Sequence, residues 1–139
     1  ALVAHASLSG VLHAAGVLRD MMLRALGTDS LGAAYAPKAC GASHVQSAVG
    51  TSQPLEAFGL FSSVASTFGN IGQANYAAAN AYLDALVVSR RCCGTIGSSL
   101  QIPAVSSAGM GARTFGEAQL DAIGVLNRRP APCKLRVTS

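Results

Sequence analysis

The 139 residues contain no tryptophan, and only 12% of them are Asp, Glu, Lys or Arg. Soluble domains usually carry about a quarter of their residues as charge. The shortfall implies that much of this chain is interior, or is covered by sequence not present in it. No Cys-x-x-Cys pair occurs among Cys40, Cys92, Cys93 and Cys133, so a zinc site is not expected. Without secretory signals these thiols are expected to be reduced. No basic stripe exists: the formal charge of +4 is spread out, with Arg90-Arg91 and Arg128-Arg129 the only basic pairs. Nucleic acid is therefore not an expected partner. Residues 1–18 lack charged side chains, but His5, Ser7, Ser9, Gly10, His13 and Gly16 make the segment too polar to span a membrane. It also lacks the basic start of a signal peptide. These absences fit a cytoplasmic protein, although an organelle remains compatible with them. No complete Gly-x-Gly-x-x-Gly is found. Gly109-Met110-Gly111 has two of the three glycines and is expected to be a loop.

What is present is an alternation of short apolar runs and helical stretches. Val11 to Val17 reads as a strand buried on both faces. A short helix is expected over 20–27. A longer one, capped by Thr28-Asp29-Ser30, is expected over 31–49, weakened by Gly41 and Ser43. Leu55–Ser62 reads as a second strand and 63–72 as a loop. Gln73–Arg91, rich in alanine and free of internal glycine and proline, is the strongest helix; Gly94 is its natural stop. Thr95–Ile102 reads as a third strand ended by Pro103. A short helix near 115–123 and an irregular tail over 126–139 complete the expectation. The predicted class is α/β, a doubly wound Rossmann-like parallel sheet. Three strands are half the usual number, so the N-terminal nucleotide-binding half is expected to be missing. The start at Ala1 suits a segment excised from a longer polypeptide.

Chemistry concentrates around the strongest helix. Tyr76 and Asn80 are four residues apart and share a helix face. Ser62 and Ser63 end the preceding strand, where open parallel sheets place their ligands. Serine hydroxyl, phenol and amide therefore converge on one crevice, unless Tyr76 simply packs in the core and Asn80 caps something local. A phenol ordinarily titrates near 10 and needs a nearby ammonium to act as an acid near neutral pH. The only lysines are Lys38 and Lys134. Lys38 either faces this crevice or solvates its own helix; spacing leaves both open.

The run from Ser62-Ser63-Val64-Ala65-Ser66 through Gly69-Asn70-Ile71-Gly72-Gln73-Ala74-Asn75-Tyr76-Ala77-Ala78-Ala79-Asn80-Ala81-Tyr82-Leu83-Asp84 resembles the signature of the ketoreductases of type I polyketide and fatty-acid synthases. These are an offshoot of the short-chain dehydrogenase/reductase superfamily. Val11-Leu12-His13-Ala14-Ala15-Gly16-Val17-Leu18 and Ala36-Pro37-Lys38 are similar to further family motifs. Most of the superfamily has lysine four residues after the tyrosine; here that position is Asn80 and the lysine is Lys38, as in the synthase branch.

The resemblance implies that residues 1–125 are the C-terminal catalytic part of a ketoreductase domain. It implies NADPH-dependent reduction of a β-ketoacyl thioester held on an acyl carrier protein, beside the other domains of a synthase. Tyr76 would donate the proton, Ser63 rather than Ser62 would bind the carbonyl oxygen, and Lys38 would lower the tyrosine pKa and hold the nicotinamide ribose. Asn80 would support a water or proton relay. The cofactor would border Ala14, Ala15, Gly16, Lys38, Tyr76, Pro103, Ala104 and Val105. Leu18-Arg19-Asp20 resembles the Leu-Asp-Asp motif of the class giving D-configured alcohols. Asp20 would share stereocontrol with Phe68, where the opposite class has tryptophan. Gln101-Ile102-Pro103-Ala104-Val105 departs from the family's Trp-Gly at this place. That departure motivates the alternative of a catalytically inactive, structural ketoreductase-like module.

Overall fold

The computed structural model describes residues 8–50 and 55–103, all within the compact unit Ala1–Pro103. Three strands, β1 (Gly10–His13), β2 (Ala57–Ser63) and β3 (Ser98–Ile102), form a parallel sheet in the order β1-β2-β3. Between β1 and β2 run a 3-10 turn (Leu23–Ala25) and a helix in three pieces. These are α1 (Thr28–Tyr35), a π turn (Ala36–Cys40) and α2 (Gly41–Val49). A single-turn α3 (Ala65–Phe68) and the long α4 (Ala74–Cys92) join β2 to β3. The predicted α/β parallel architecture is what these residues adopt.

Alternation along β2 sorts its side chains. Phe58 and Leu60 point to the helices and are buried with Leu83 and Val87 of α4 and Ala42 of α2. Leu12 of β1 and Leu100 of β3 lie on the opposite face and are exposed at 73% and 59%. Gly59 sits beside Leu12, where a Cβ would come within 2.7 Å of Leu12 Cδ2; a side chain at 59 therefore requires Leu12 to move. Near the other end of α4, the Arg90 guanidinium lies 3.9 Å from the centre of the Phe58 ring and donates to Ile96 O at 2.8 Å.

Several boundaries differ from the sequence expectation: β2 runs Ala57–Ser63 instead of Leu55–Ser62, the expected loop over 63–72 holds the single turn α3, and the helix expected over 31–49 is interrupted by the π turn. β1 stops at His13 instead of Val17, because its pairing with β2 ends at His13–Leu60 and Ala14–Ala15 have little apolar surface to bury. The helix starts at Thr28 with Gly27 as its cap, so Thr28-Asp29-Ser30 is its first turn, not its capping segment. The expected helix over 20–27 is only the turn at Leu23–Ala25. β3 begins at Ser98 instead of Thr95, since Arg90 and Arg91 take the carbonyls of Ile96 and Gly97. α4 behaves as expected: it ends at Cys92, and Gly94 adopts the positive φ of 74° that closes it. The expected helix near 115–123 and the tail over 126–139 lie outside the described residues.

Candidate active site

In a parallel sheet all strands end on one edge. Here that edge gathers Ala14–Gly16 after β1, Ser63 at the end of β2, and Pro103 after β3. Ala104 and Val105, expected to border the cofactor, lie outside the described residues. Above the edge stand α4 and the π turn, which both contribute titratable side chains.

From α4 come Tyr76, half-buried, and Asn80, fully buried. Regular helical spacing places them on one face, and Asn80 Nδ2 donates back to Tyr76 O at 2.8 Å. Asn80 Oδ1 is buried and has no hydrogen-bond partner among the described residues. A buried acceptor left open in this way is costly unless a bound group or water serves it.

Lys38 comes from the π turn. Pro37, just before it, has no N–H to give to the turn behind it and its ring crowds that turn, so a regular α-helix cannot continue here. The extra residue of the π turn lets Lys38 point inward, with only 3% of its surface exposed. Its Nζ donates to Phe61 O at 2.9 Å and lies 5.4 Å from the centre of the Tyr76 ring. That is within the range of an ammonium–aromatic attraction. Burial pulls the Lys38 pKa from 10.5 down to about 8, against the opposing charge of Asp84. An ammonium has three donors, and Phe61 uses one.

The two serines of β2 are committed differently. Ser62 Oγ donates to Asn80 O at 3.3 Å, so its proton is spent on α4. Ser63 Oγ accepts from Ala65 N at 3.2 Å, and among the described residues its own proton has no acceptor. The preference for Ser63 as a carbonyl ligand is consistent with this difference.

Sequence reasoning gave Asp84 no role. It lies one turn beyond Asn80, and its carboxylate accepts from Ser66 at 2.7 Å, from Gln101 at 2.9 Å and from Ser99. Burial pushes the Asp84 pKa up, but hydrogen bonds from Ser99, Ser66 and Gln101 outweigh it and hold the carboxyl below its ordinary value. Ser66 also lies 2.8 Å from Ser63 O. Asp84 therefore ties together the ends of β2 and β3. The signal available in the sequence was one acid on the Tyr76–Asn80 face of an otherwise alanine-rich helix. Of the departing run 101–105, Gln101 places its amide in this cluster.

Asp20 and Phe68 are not brought together in the same way. Asp20 accepts from Gln73 Nε2 at 3.0 Å, which docks the 18–26 segment beside α4 together with Met21 N to Gly72 O at 2.7 Å. Phe68 is 83% exposed. Among the described residues there is no cluster suited to a metal ion, and no helix is long and apolar enough to cross a membrane.

Residues 2–107 match the KR domain family. The chain is a member of the ketoreductase family. It is 50% identical over 93 residues to the spectinabilin polyketide synthase system protein NorA' of Streptomyces orinoci, covering 67% of this chain and 2% of that protein. It is 42% identical over 125 residues to 6-methylsalicylic acid synthase of Penicillium terrestre, covering 88% of this chain and 7% of that one. A solved A1-type ketoreductase superposes with a TM-score of 0.76 at 36% identity, over 82% of this chain and 24% of that one. The chain thus spans a small fraction of the synthases it resembles and about a quarter of that solved ketoreductase. The ketoreductases it matches are oxidoreductases of the short-chain dehydrogenase/reductase type and use a nicotinamide cofactor.

Proposed function

We propose that this ketoreductase reduces the β-keto group of an acyl thioester carried on an acyl carrier protein, with NADPH, and yields a D-configured 3-hydroxyacyl product. The observation that carries the reading is the buried Lys38 amine 5.4 Å from the Tyr76 ring centre, on the sheet edge that also bears Ser63. A reduced nicotinamide supplies the hydride to the carbonyl carbon. Everything else falls to this chain.

As hydride adds, negative charge grows on the carbonyl oxygen, and donors already aimed there stabilise it. Ser63 has the proton for that task, and Tyr76 transfers its phenolic proton to the oxygen. The ammonium of Lys38 favours the phenolate left behind. Two spare donors on that ammonium suit the hydroxyls of a ribose, so the residues present fit the cofactor. The open Oδ1 of Asn80 suits a water that returns a proton to Tyr76. Ala14, Ala15, Gly16, Pro103, Ala104 and Val105 would border the cofactor, and Asp20 and Phe68 would flank the substrate.

The test is NADPH oxidation by the full-length protein with a β-keto thioester. Tyr76→Phe keeps the ring and removes the proton, and is expected to lower turnover by about 10² to 10⁴-fold with little change in cofactor affinity. Unchanged turnover rejects the mechanism. Failure of the wild-type protein to bind NADPH favours the inactive, structural module.

A further inference from the structure

We infer that His13 is a positioning residue for Lys38: its ring N–H holds the Lys38 carbonyl and so fixes the π turn that aims the amine. The inference rests on the reading of Lys38 as part of the reductase site, and adds to it a residue from a different element.

His13 is the last residue of β1, on the helix-facing side, opposite Leu60. Its Nε2 lies 3.0 Å from Lys38 O. A carbonyl oxygen only accepts, so Nε2 carries the proton in this contact. The bond lands in the π turn at the residue whose direction matters. Gly41 N–H reaches back to both Ala36 O and Lys38 O, which is the wide, irregular bonding of that turn. One extra residue in a helix turns everything beyond it by about 100° relative to a regular continuation. Whether the turn keeps its extra residue therefore decides whether the Lys38 amine meets Phe61 O and Tyr76 or swings away.

A second observation supports the same contact. A Cβ on Gly41 would stand 3.1 Å from His13 Cε1 and 3.7 Å from Nε2. The imidazole packs against the residue that closes the turn, and the lack of a side chain at 41 gives it room there. Pro37 prevents a regular helix; His13 and Gly41 select which irregular one forms.

The experiment uses the full-length protein and two readouts, NADPH-dependent turnover of a β-keto thioester and the titration of the Lys38 side chain followed by NMR, its signal identified by loss in Lys38→Met. His13→Ala is expected to lower turnover by about 10²-fold, the cost typical of misplacing a catalytic group by an ångström. Its Lys38 titration should move up from about 8 toward 10.5 as the amine reaches water. His13→Gln, which retains a donor near the Nε2 position, should restore most of both. Gly41→Ala, whose Cβ would crowd the ring at 3.1 Å and make it shift on the turn, should lower turnover and raise the Lys38 titration in the same direction, to a smaller extent, if His13→Ala does not fold. In the Lys38→Met background, His13→Ala should have little further effect on turnover. An equal fold-loss in both backgrounds, or an unmoved Lys38 titration in His13→Ala and Gly41→Ala, overturns the inference. Wild-type turnover in Lys38→Met alone instead rejects the reading of the site, and the NMR result then stands apart as a statement about the turn.

Discussion

Two helices deliver the titratable groups of this site, and they do so by opposite means. α4 is regular: Tyr76, Asn80 and Asp84 recur every four residues, and the helix is held by Ala79, Leu83 and Val87, each no more than 4% exposed. The α1–α2 helix is broken at Pro37 and delivers Lys38 through its irregularity, with Ala34, Ala39 and Ala42 as the small residues that pack there. Regular spacing is sufficient to bring side chains of one element together. Bringing in a residue from a second element took a proline, a glycine and a histidine from a neighbouring strand. Precision at Tyr76 is thus a property of its own helix, whereas precision at Lys38 is borrowed.

The comparison is sharpened most strongly by core deletions. Leu83 is fully buried under the sheet, so Leu83→Ala is expected to cost about 2–5 kcal/mol in chemical unfolding of the full-length protein. Val45 on α2 is only partly buried against the same core, and Val45→Ala is expected to cost about 1 kcal/mol. Equal costs would mean that both helices are anchored alike, against the contrast drawn above.

A smaller effect follows from the buried amine. Lys38 titrates near 8 in the fold and at 10.5 when unperturbed, because burial disfavours its charged form. Between those values the unfolded chain holds more protons than the folded one, so stability rises with pH. The penalty is fully present below about pH 8 and is relieved as pH approaches 10.5, by at most about 1.4 kcal/mol per unit. The check is the difference in unfolding free energy between the wild type and Lys38→Met at pH 8 and pH 10. A difference that stays constant with pH would place the amine in water.

The contrast between the helices also explains what could be read in advance. The alanine-rich run from Gln73, its glycine stop, and the placing of Tyr76 and Asn80 on one helix face were legible because they depend on local periodicity. Lys38 was identified by resemblance alone, since spacing cannot reveal which way a residue in a π turn points. His13 was missed because its partner is a main-chain carbonyl 25 residues away, and a carbonyl has no residue type to recognise. Asp84 was missed for a related reason: its partners, Ser66, Ser99 and Gln101, are common polar residues drawn from three segments. β1 was read too long because Ala14, Ala15 and Val17 are as apolar as a strand, whereas the pairing that ends it is set by β2.

Asp84 offers the finest test, because it acts on both helices. It is the one charge that opposes the effect of burial on Lys38, and it belongs to the regular helix. Asp84→Asn removes that charge while keeping the size of the side chain and one accepting oxygen, which serves either Ser99 or the Ser66 and Gln101 side. Lys38 should then lose its proton at a lower pH than about 8. If the ammonium is the active form, the alkaline fall in reductase turnover should shift to lower pH, with the plateau rate little changed. A role confined to bracing the ends of β2 and β3 would instead lower the plateau and leave the alkaline limb in place. Separating limb from plateau therefore distinguishes an electrostatic link between the helices from a mechanical one.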